Sequence, residues 1–159
     1  MNTLPLTPHP SLSYKRPESV LVVIYAENRK VLQLRRHEPP DFWQSVTGSL
    51  KKGETPPQAA MREVREETGL QVDAELTNSG VVNHYPIHPA WRARFAPDVK
   101  ENTEHVFSLC LPAITDIRLD PEEHVEYRWL PRAEALALAS SRTDREAILA
   151  LVPFSGDGA

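Results

Sequence analysis

Apolar residues in this chain fall into short runs separated by polar turns, and the period of the runs changes along the sequence. Val20–Tyr25 is continuously apolar, the pattern of a central strand covered on both faces. Val31–Arg36 follows a polar turn at Glu27–Lys30 and is expected to pair with it. Phe42–Val46 leads toward a helix, Gln71–Val82 holds one or two further strands, and His105–Leu111 reads as another. Val125–Leu130 alternates apolar and polar residues, the period of a half-exposed strand. Two helices close the chain. Pro131–Ser140 is rich in Ala and Leu, and Asp144–Val152 follows Thr143, which with Glu146 is expected to form a capping box. No internal repeat appears. Strands around one central helix, then strands, then terminal helices, predict a single α/β domain over 14–153. Residues 1–13 hold three prolines and no charged side chain and read as an extended or disordered arm; 154–159 reads as a flexible tail.

The central helix carries the most informative chemistry. Thr55 suits the N-cap, Pro56 the first helical position and Gln58 the capping box, and Gly69 ends the helix after Thr68. At about 100° per residue, Glu63, Glu66 and Glu67 fall in one arc. Ala59 lies on the same arc one turn earlier, small enough to leave room for a ligand, while Ala60, Val64 and Thr68 point to a core. Like charges at such spacing cost roughly 0.2–0.5 kcal/mol per pair. A divalent cation relieves that cost. Clustered carboxylates suit Mg²⁺, which takes oxygen ligands and substrate phosphates, and suit zinc poorly, because no Cys or His stands beside them at ligand spacing. The spacing leaves open whether Mn²⁺ replaces Mg²⁺. A solvated acidic face with scattered Glu–Arg pairs is the bland alternative.

The segment between 82 and 104 is the least regular. It places Tyr85, Trp91 and Phe95 beside Arg92, Arg94 and Lys100, which suits a substrate with a flat ring and a charged tail. The same residues equally suit a surface loop whose aromatics pack back on the core. His84 and His88 have i,i+4 spacing, but Pro86 between them argues against a helical zinc pair. The 159 residues suffice for one domain with a real core, and 40% hydrophobic with 25% charged residues gives a globular class. The formal charge of −4 argues against non-specific binding to nucleic acid or membrane surfaces. The single cysteine, Cys110, excludes an internal disulfide and reads as a buried strand residue. No apolar run approaches a membrane span and no secretory pattern opens the chain, so the cytoplasm is the expected compartment. The oligomeric state is not legible.

The segment from Gly48 to Leu70 resembles the Nudix box, G-x5-E-x7-R-E-U-x-E-E-x-G-U with U a bulky apolar residue. Gly48, Glu54, Arg62, Glu63, Val64, Glu66, Glu67, Gly69 and Leu70 meet every fixed position. The resemblance implies the Nudix fold, a mixed β-sheet sandwiched between helices, and metal-dependent hydrolysis of a phosphoanhydride. It further implies that Glu63 and Glu67 bind Mg²⁺, that Glu123 in a later loop completes the cluster with Glu122 as its adjacent rival, and that Glu66 is the base or a further ligand. Arg62 would orient the carboxylates and Glu54 brace the loop–helix junction.

Outside the box, YKRP at Tyr14–Pro17, DFWQSVTGS at Asp41–Ser49 and NTE at Asn102–Glu104 are similar to a bacterial branch of the family that removes pyrophosphate from dihydroneopterin triphosphate in folate biosynthesis. That likeness implies substrate contacts at Lys15, Arg36, Thr47, Ser141 and the pterin-loop segment Tyr85, Pro86, Ile87 and His88. Trp43 is a further stacking surface by type, although a buried Trp beside a central strand is the stronger expectation. A general nucleotide pyrophosphatase, clearing dATP or a damaged nucleotide, would share all the metal ligands. A Nudix-fold ligand sensor would be expected to lack box glutamates that this chain has.

Overall fold

The computed structural model describes residues 14–72 and 76–154. The expected arm lies outside them, as does the expected tail apart from Phe154. The elements run β1 (Glu18–Ala26), β2 (Val31–Arg36), β3 (Trp43–Gln44), β4 (Val46–Ser49), α1 (Pro56–Thr68), β5 (Leu76–Pro86), a 3₁₀ helix (Pro89–Arg94), β6 (Glu101–Leu111), β7 (His124–Leu130), α2 (Arg132–Leu138) and α3 (Arg142–Leu151). The strands form one mixed sheet in which β1 and β6 run parallel and the other pairs antiparallel.

The apolar run in β1 divides between two cores because successive strand side chains face opposite ways. Val20, Val22 and Ile24 pack with Ala59, Ala60 and Val64 of α1. Leu21 and Val23 pack with Ala135 and Ala139 near α2 and with Ala147 and Ile148 of α3. The sheet is therefore covered on both faces, as a mixed sheet between helices requires. Ala59 departs from its expected role. It is fully buried in the first core and leaves no room for a ligand, because the arc facing the site begins only at Glu63.

The expected pairing of Val20–Tyr25 with Val31–Arg36 holds at one rung, Tyr25 with Val31. Beyond it the strands part. β1 pairs with β4 from Ser19 to Val22, and β2 pairs with β3 and β7. Each backbone thus finds partners without its sequence neighbour, which satisfies the need to pair buried N–H and C=O groups. The parting strands open a cleft in the sheet.

Three further expectations are corrected. The irregular segment is much shorter than 82–104, since β5 continues to Pro86 and β6 starts at Glu101. Cys110 lies in β6 but is only half-buried. The cap of α3 is Ser141, whose Oγ accepts from the Asp144 backbone N–H at 3.1 Å, rather than Thr143. Thr143 is drawn inside and buried, and Glu146 pairs with Arg142 instead of closing a box. No helix among the described residues is long and apolar enough to cross a membrane.

Asp144 locks α3 to the sheet. It is fully buried and accepts from the Ser45 backbone N–H and the Ser45 hydroxyl, both at 2.7 Å, and from Gln33 Nε2 at 3.4 Å. Burial pushes its carboxyl above the usual range, and the bonds from Ser45 oppose that shift. Asp144→Ala leaves these donors without an acceptor and is expected to cost about 3 kcal/mol, read by urea unfolding. A loss below about 1 kcal/mol would remove Asp144 from this role.

Candidate active site

The start of α1 is built as its sequence requires. Thr55 accepts from the Gln58 backbone N–H, Gln58 Oε1 accepts from the Thr55 N–H at 2.9 Å, and Gly69 ends the helix at φ 78°. This fixes where the helix starts and stops, and burial of Ala60 and Val64 in the first core sets which way the acidic arc faces. Arg62 then ties the arc to the preceding loop. Its Nε and Nη2 donate to the two oxygens of Glu54 at 2.7 and 2.9 Å, and Nη2 also reaches the Ser49 carbonyl at 3.0 Å. Its Nη1 donates to Glu63 at 3.0 Å and to Glu66 at 3.1 Å. Glu54 in turn accepts from the Lys51 backbone N–H at 2.8 Å. The Arg62 guanidinium beside it holds the Glu54 carboxyl down at about 2.

Glu63 and Glu67 are both buried, one helical turn apart on α1. Burial raises both carboxyls; Arg62 opposes the shift at Glu63, whereas at Glu67 the Glu63 and Glu123 charges add to it. Glu67 Oε1 is buried with no hydrogen-bond partner. At Gly48 a Cβ would strike the Glu63 carboxylate, so glycine lets that side chain lie directly on β4. Among the described residues, no three acidic, His or Cys side chains already converge as ligands on a common point. The donor set still fits a hard divalent cation. It consists of buried oxygens, one of them unpartnered, under mutual repulsion.

These groups line one wall of a cavity of about 610 Å³ in the cleft between the parted strands. Lys15 and Arg36 stand in the same cavity. Desolvation within the cavity lowers both, with Arg94 next for Lys15, while Glu123 pulls each the other way. Phe42, His88 and Trp91 make an aromatic wall, with the Phe42 and Trp91 rings 5.3 Å apart edge to face and the Arg36 guanidinium 5.2 Å from the Trp91 ring.

A model of the NUDIX domain matches residues 15–151. The chain belongs to the Nudix family. It is 50% identical over 139 residues to the dihydroneopterin triphosphate diphosphatase of Escherichia coli strain K12, covering 85% of this chain and 91% of that one. A protein of the same name from Haemophilus influenzae is 35% identical over 153 residues, 90% of this chain and 92% of the relative. The solved structure of the E. coli dihydroneopterin triphosphate pyrophosphohydrolase superposes with a TM-score of 0.83 at 48% identity, covering 87% of this chain and 97% of that one.

The residues singled out by the Nudix likeness gather well. Glu63, Glu66, Glu67 and Glu123 line the cavity, and so do Lys15, Arg36, Thr47, Ser141 and the segment Tyr85, Pro86, Ile87 and His88. Arg62 does not line the cavity and donates to Glu63 and Glu66 from behind it. Glu66 is the most open of the helix carboxylates, its side chain 46% exposed. Glu123 faces the cavity, whereas Glu122 is exposed and off it. The Thr47 hydroxyl is committed to the Val20 carbonyl at 2.8 Å, and the Ser141 hydroxyl to the helix cap. Trp43 is buried under Arg128 and does not line the cavity; Phe42 takes the place on the aromatic wall. His84 bonds Thr103 and His88 caps the 3₁₀ helix, so they form no pair.

Two groups were not foreseen from the sequence. His124 is fully buried, and its imidazole is pushed down to about 4, mainly by burial and then by Arg36. The Gln44 amide nitrogen lies 3.0 Å from its Nε2 and donates there, which puts the ring proton on Nδ1, 4.0 Å from Glu67 Oε1. The other is a polar cluster around Asn102 and Glu104. Its residues Asn102 and Glu104 belong to the NTE motif, which gave them no role, and they form a polar pair two residues apart in a strand whose next inward position is Val106.

Proposed function

We propose that this Nudix hydrolase converts dihydroneopterin triphosphate to the monophosphate and pyrophosphate. The observation that carries this reading is a single cavity with buried carboxylates on one wall and an aromatic wall flanked by cations, in a chain half identical to an enzyme of that name. Glu63, Glu67 and Glu123 would hold a divalent cation of the Mg²⁺ kind, which when bound neutralises phosphate oxygens and lowers the pKa of a water. Lys15 and Arg36 draw the polyphosphate into register and balance its charge. Arg62 keeps Glu63 and Glu66 from turning away. Glu66, at the open edge of the arc, takes the proton of the water that attacks phosphorus as the bond to the departing pyrophosphate breaks. Phe42 and Trp91 offer the ring a stacking surface and exclude water from one side of the cavity. The working compartment is the cytoplasm, where a small phosphorylated metabolite is the partner rather than a nucleic acid or a membrane.

The test is a panel of triphosphates at equal concentration with Mg²⁺, read as pyrophosphate released. Dihydroneopterin triphosphate is expected to exceed dATP and other nucleotides in kcat/KM by about tenfold or more, since a ring-specific polar site discriminates on that scale. A large preference for a nucleotide would overturn the pterin reading and leave a general nucleotide pyrophosphatase. No release from any member would overturn hydrolysis altogether.

A further inference from the structure

The cavity has a second polar wall that phosphate chemistry does not use. The parallel register of β1 and β6 puts Ser19 beside Glu104, and the antiparallel register of β5 and β6 puts Asn83 opposite Glu104 and Tyr85 opposite Asn102. Glu104 is 3% exposed and Asn102 6% exposed. Both line the cavity with Tyr85 and Ser19. Glu104 accepts from Asn83 Nδ2 and from the Tyr85 hydroxyl, each at 3.1 Å, and neighbours Thr143. All three partners are neutral, so this carboxylate is not half of a structural ion pair.

The hydrogen-bond directions are determined. Tyr85 has one hydroxyl proton, and it goes to Glu104. The contact between Tyr85 and Asn102 at 3.2 Å must therefore be donated by Asn102 Nδ2, which also donates to Ser19 Oγ at 2.8 Å. Asn102 Oδ1 is left buried with no partner. An unpaired buried acceptor costs about 1–3 kcal/mol, and the residue that carries it lines the substrate cavity beside the Glu104 carboxylate.

We propose that Glu104 and the Asn102 carbonyl oxygen read the amino–lactam edge of the substrate ring, accepting hydrogen bonds from its exocyclic amino group and the adjacent ring N–H. A 2-amino-4-oxopyrimidine ring, whether in a pterin or in guanine, presents those two donors side by side. Adenine presents an amino donor next to a ring-nitrogen lone pair, which the second acceptor repels. The phosphate end stays with Lys15, Arg36 and the α1 carboxylates. The proposal deepens the pterin reading and rests on it for the natural substrate, but its rule concerns the ring edge.

Glu104→Gln and Asn102→Ala are assayed on dihydroneopterin triphosphate, dGTP and dATP, and neopterin binding is followed by its own fluorescence. Each variant is expected to lower kcat/KM for the first two substrates by about tenfold or more, to change dATP by less than about twofold and to weaken neopterin binding by a similar factor as the first two substrates. Equal losses on all three substrates, or none, would overturn the assignment. A wild-type preference for dATP sinks the pterin reading, whereas an unmoved dGTP-to-dATP ratio in the variants sinks the ring-edge rule. Should Glu104→Gln fail to fold, Asn102→Ala decides the matter through neopterin binding: weakened binding supports the ring-edge rule and unchanged binding overturns it.

Discussion

Glu67→Gln is expected to slow pyrophosphate release at least about a hundredfold while the protein stays folded. Glutamine keeps the shape of the side chain but removes the charge from a buried oxygen that has no partner of its own. The stability change has the opposite sign from the activity change. Burial and the Glu63 charge raise the Glu67 carboxyl in the folded chain, so its ionisation opposes folding. A group raised in this way favours the fold below its unfolded pKa and loses that contribution as pH rises. The uncharged variant is therefore expected to melt at or above the wild-type temperature at neutral pH without metal, with the gain shrinking toward pH 4. Pyrophosphate assays and thermal melts on one preparation check both halves. A rate within tenfold of wild type would remove Glu67 from the reaction. A collapsed fold would make it structural.

Arg62→Ala is expected to act on both stability and turnover. Its guanidinium serves Glu54, Glu63, Glu66 and the Ser49 carbonyl at once, with side-chain exposures of 12% for Arg62 and 13% for Glu54. Removing one partner of a nearly buried pair leaves uncompensated charge and costs roughly 3–5 kcal/mol. The pH dependence carries the signature. Glu54 is held at about 2 in the folded chain against a reference value of 4.5. A depressed carboxyl stabilises the fold fully above its unfolded pKa and loses that contribution as pH falls through its folded one. The gap between wild type and Arg62→Ala is thus expected to be constant above about pH 5 and to narrow as pH falls toward about 2. Urea unfolding across pH 2.5–7 measures it. A gap that widens on acidification would show that Arg62 stabilises the fold through some other group. Turnover is expected to fall as well, because Glu63 and Glu66 lose the donor that aims them.

Features set by local geometry were legible in the chain. The N-cap, the stop at Gly69 and the rotation that puts Glu63 and Glu67 on one side follow from helical spacing, and the structure reproduces them. The box likewise marked the carboxylates that line the cavity. Errors arose where a residue's role depends on a distant partner. Thr143 has the composition of a cap, yet burial takes it inside and Ser141 caps instead. Ala59 shares the helical arc of the glutamates, but β1 and β4 cover that end of it. The NTE motif marks Asn102 and Glu104 only as a likeness to one branch; their joint polar cluster is visible once Ser19 and Tyr85 are seen beside them.

The order of residues settled the chemistry of this protein, since carboxylates one helical turn apart, a capping box and an arginine between them need only the backbone's own period to be placed. The folded chain settled the shape of the cavity. Val31–Arg36 follows Val20–Tyr25 across a short turn, and nothing local prevents full pairing; the strands part because β4 and β7 compete for their backbone groups from far along the chain. Such competition is decided by the burial of whole faces of the sheet, which no short window of sequence contains.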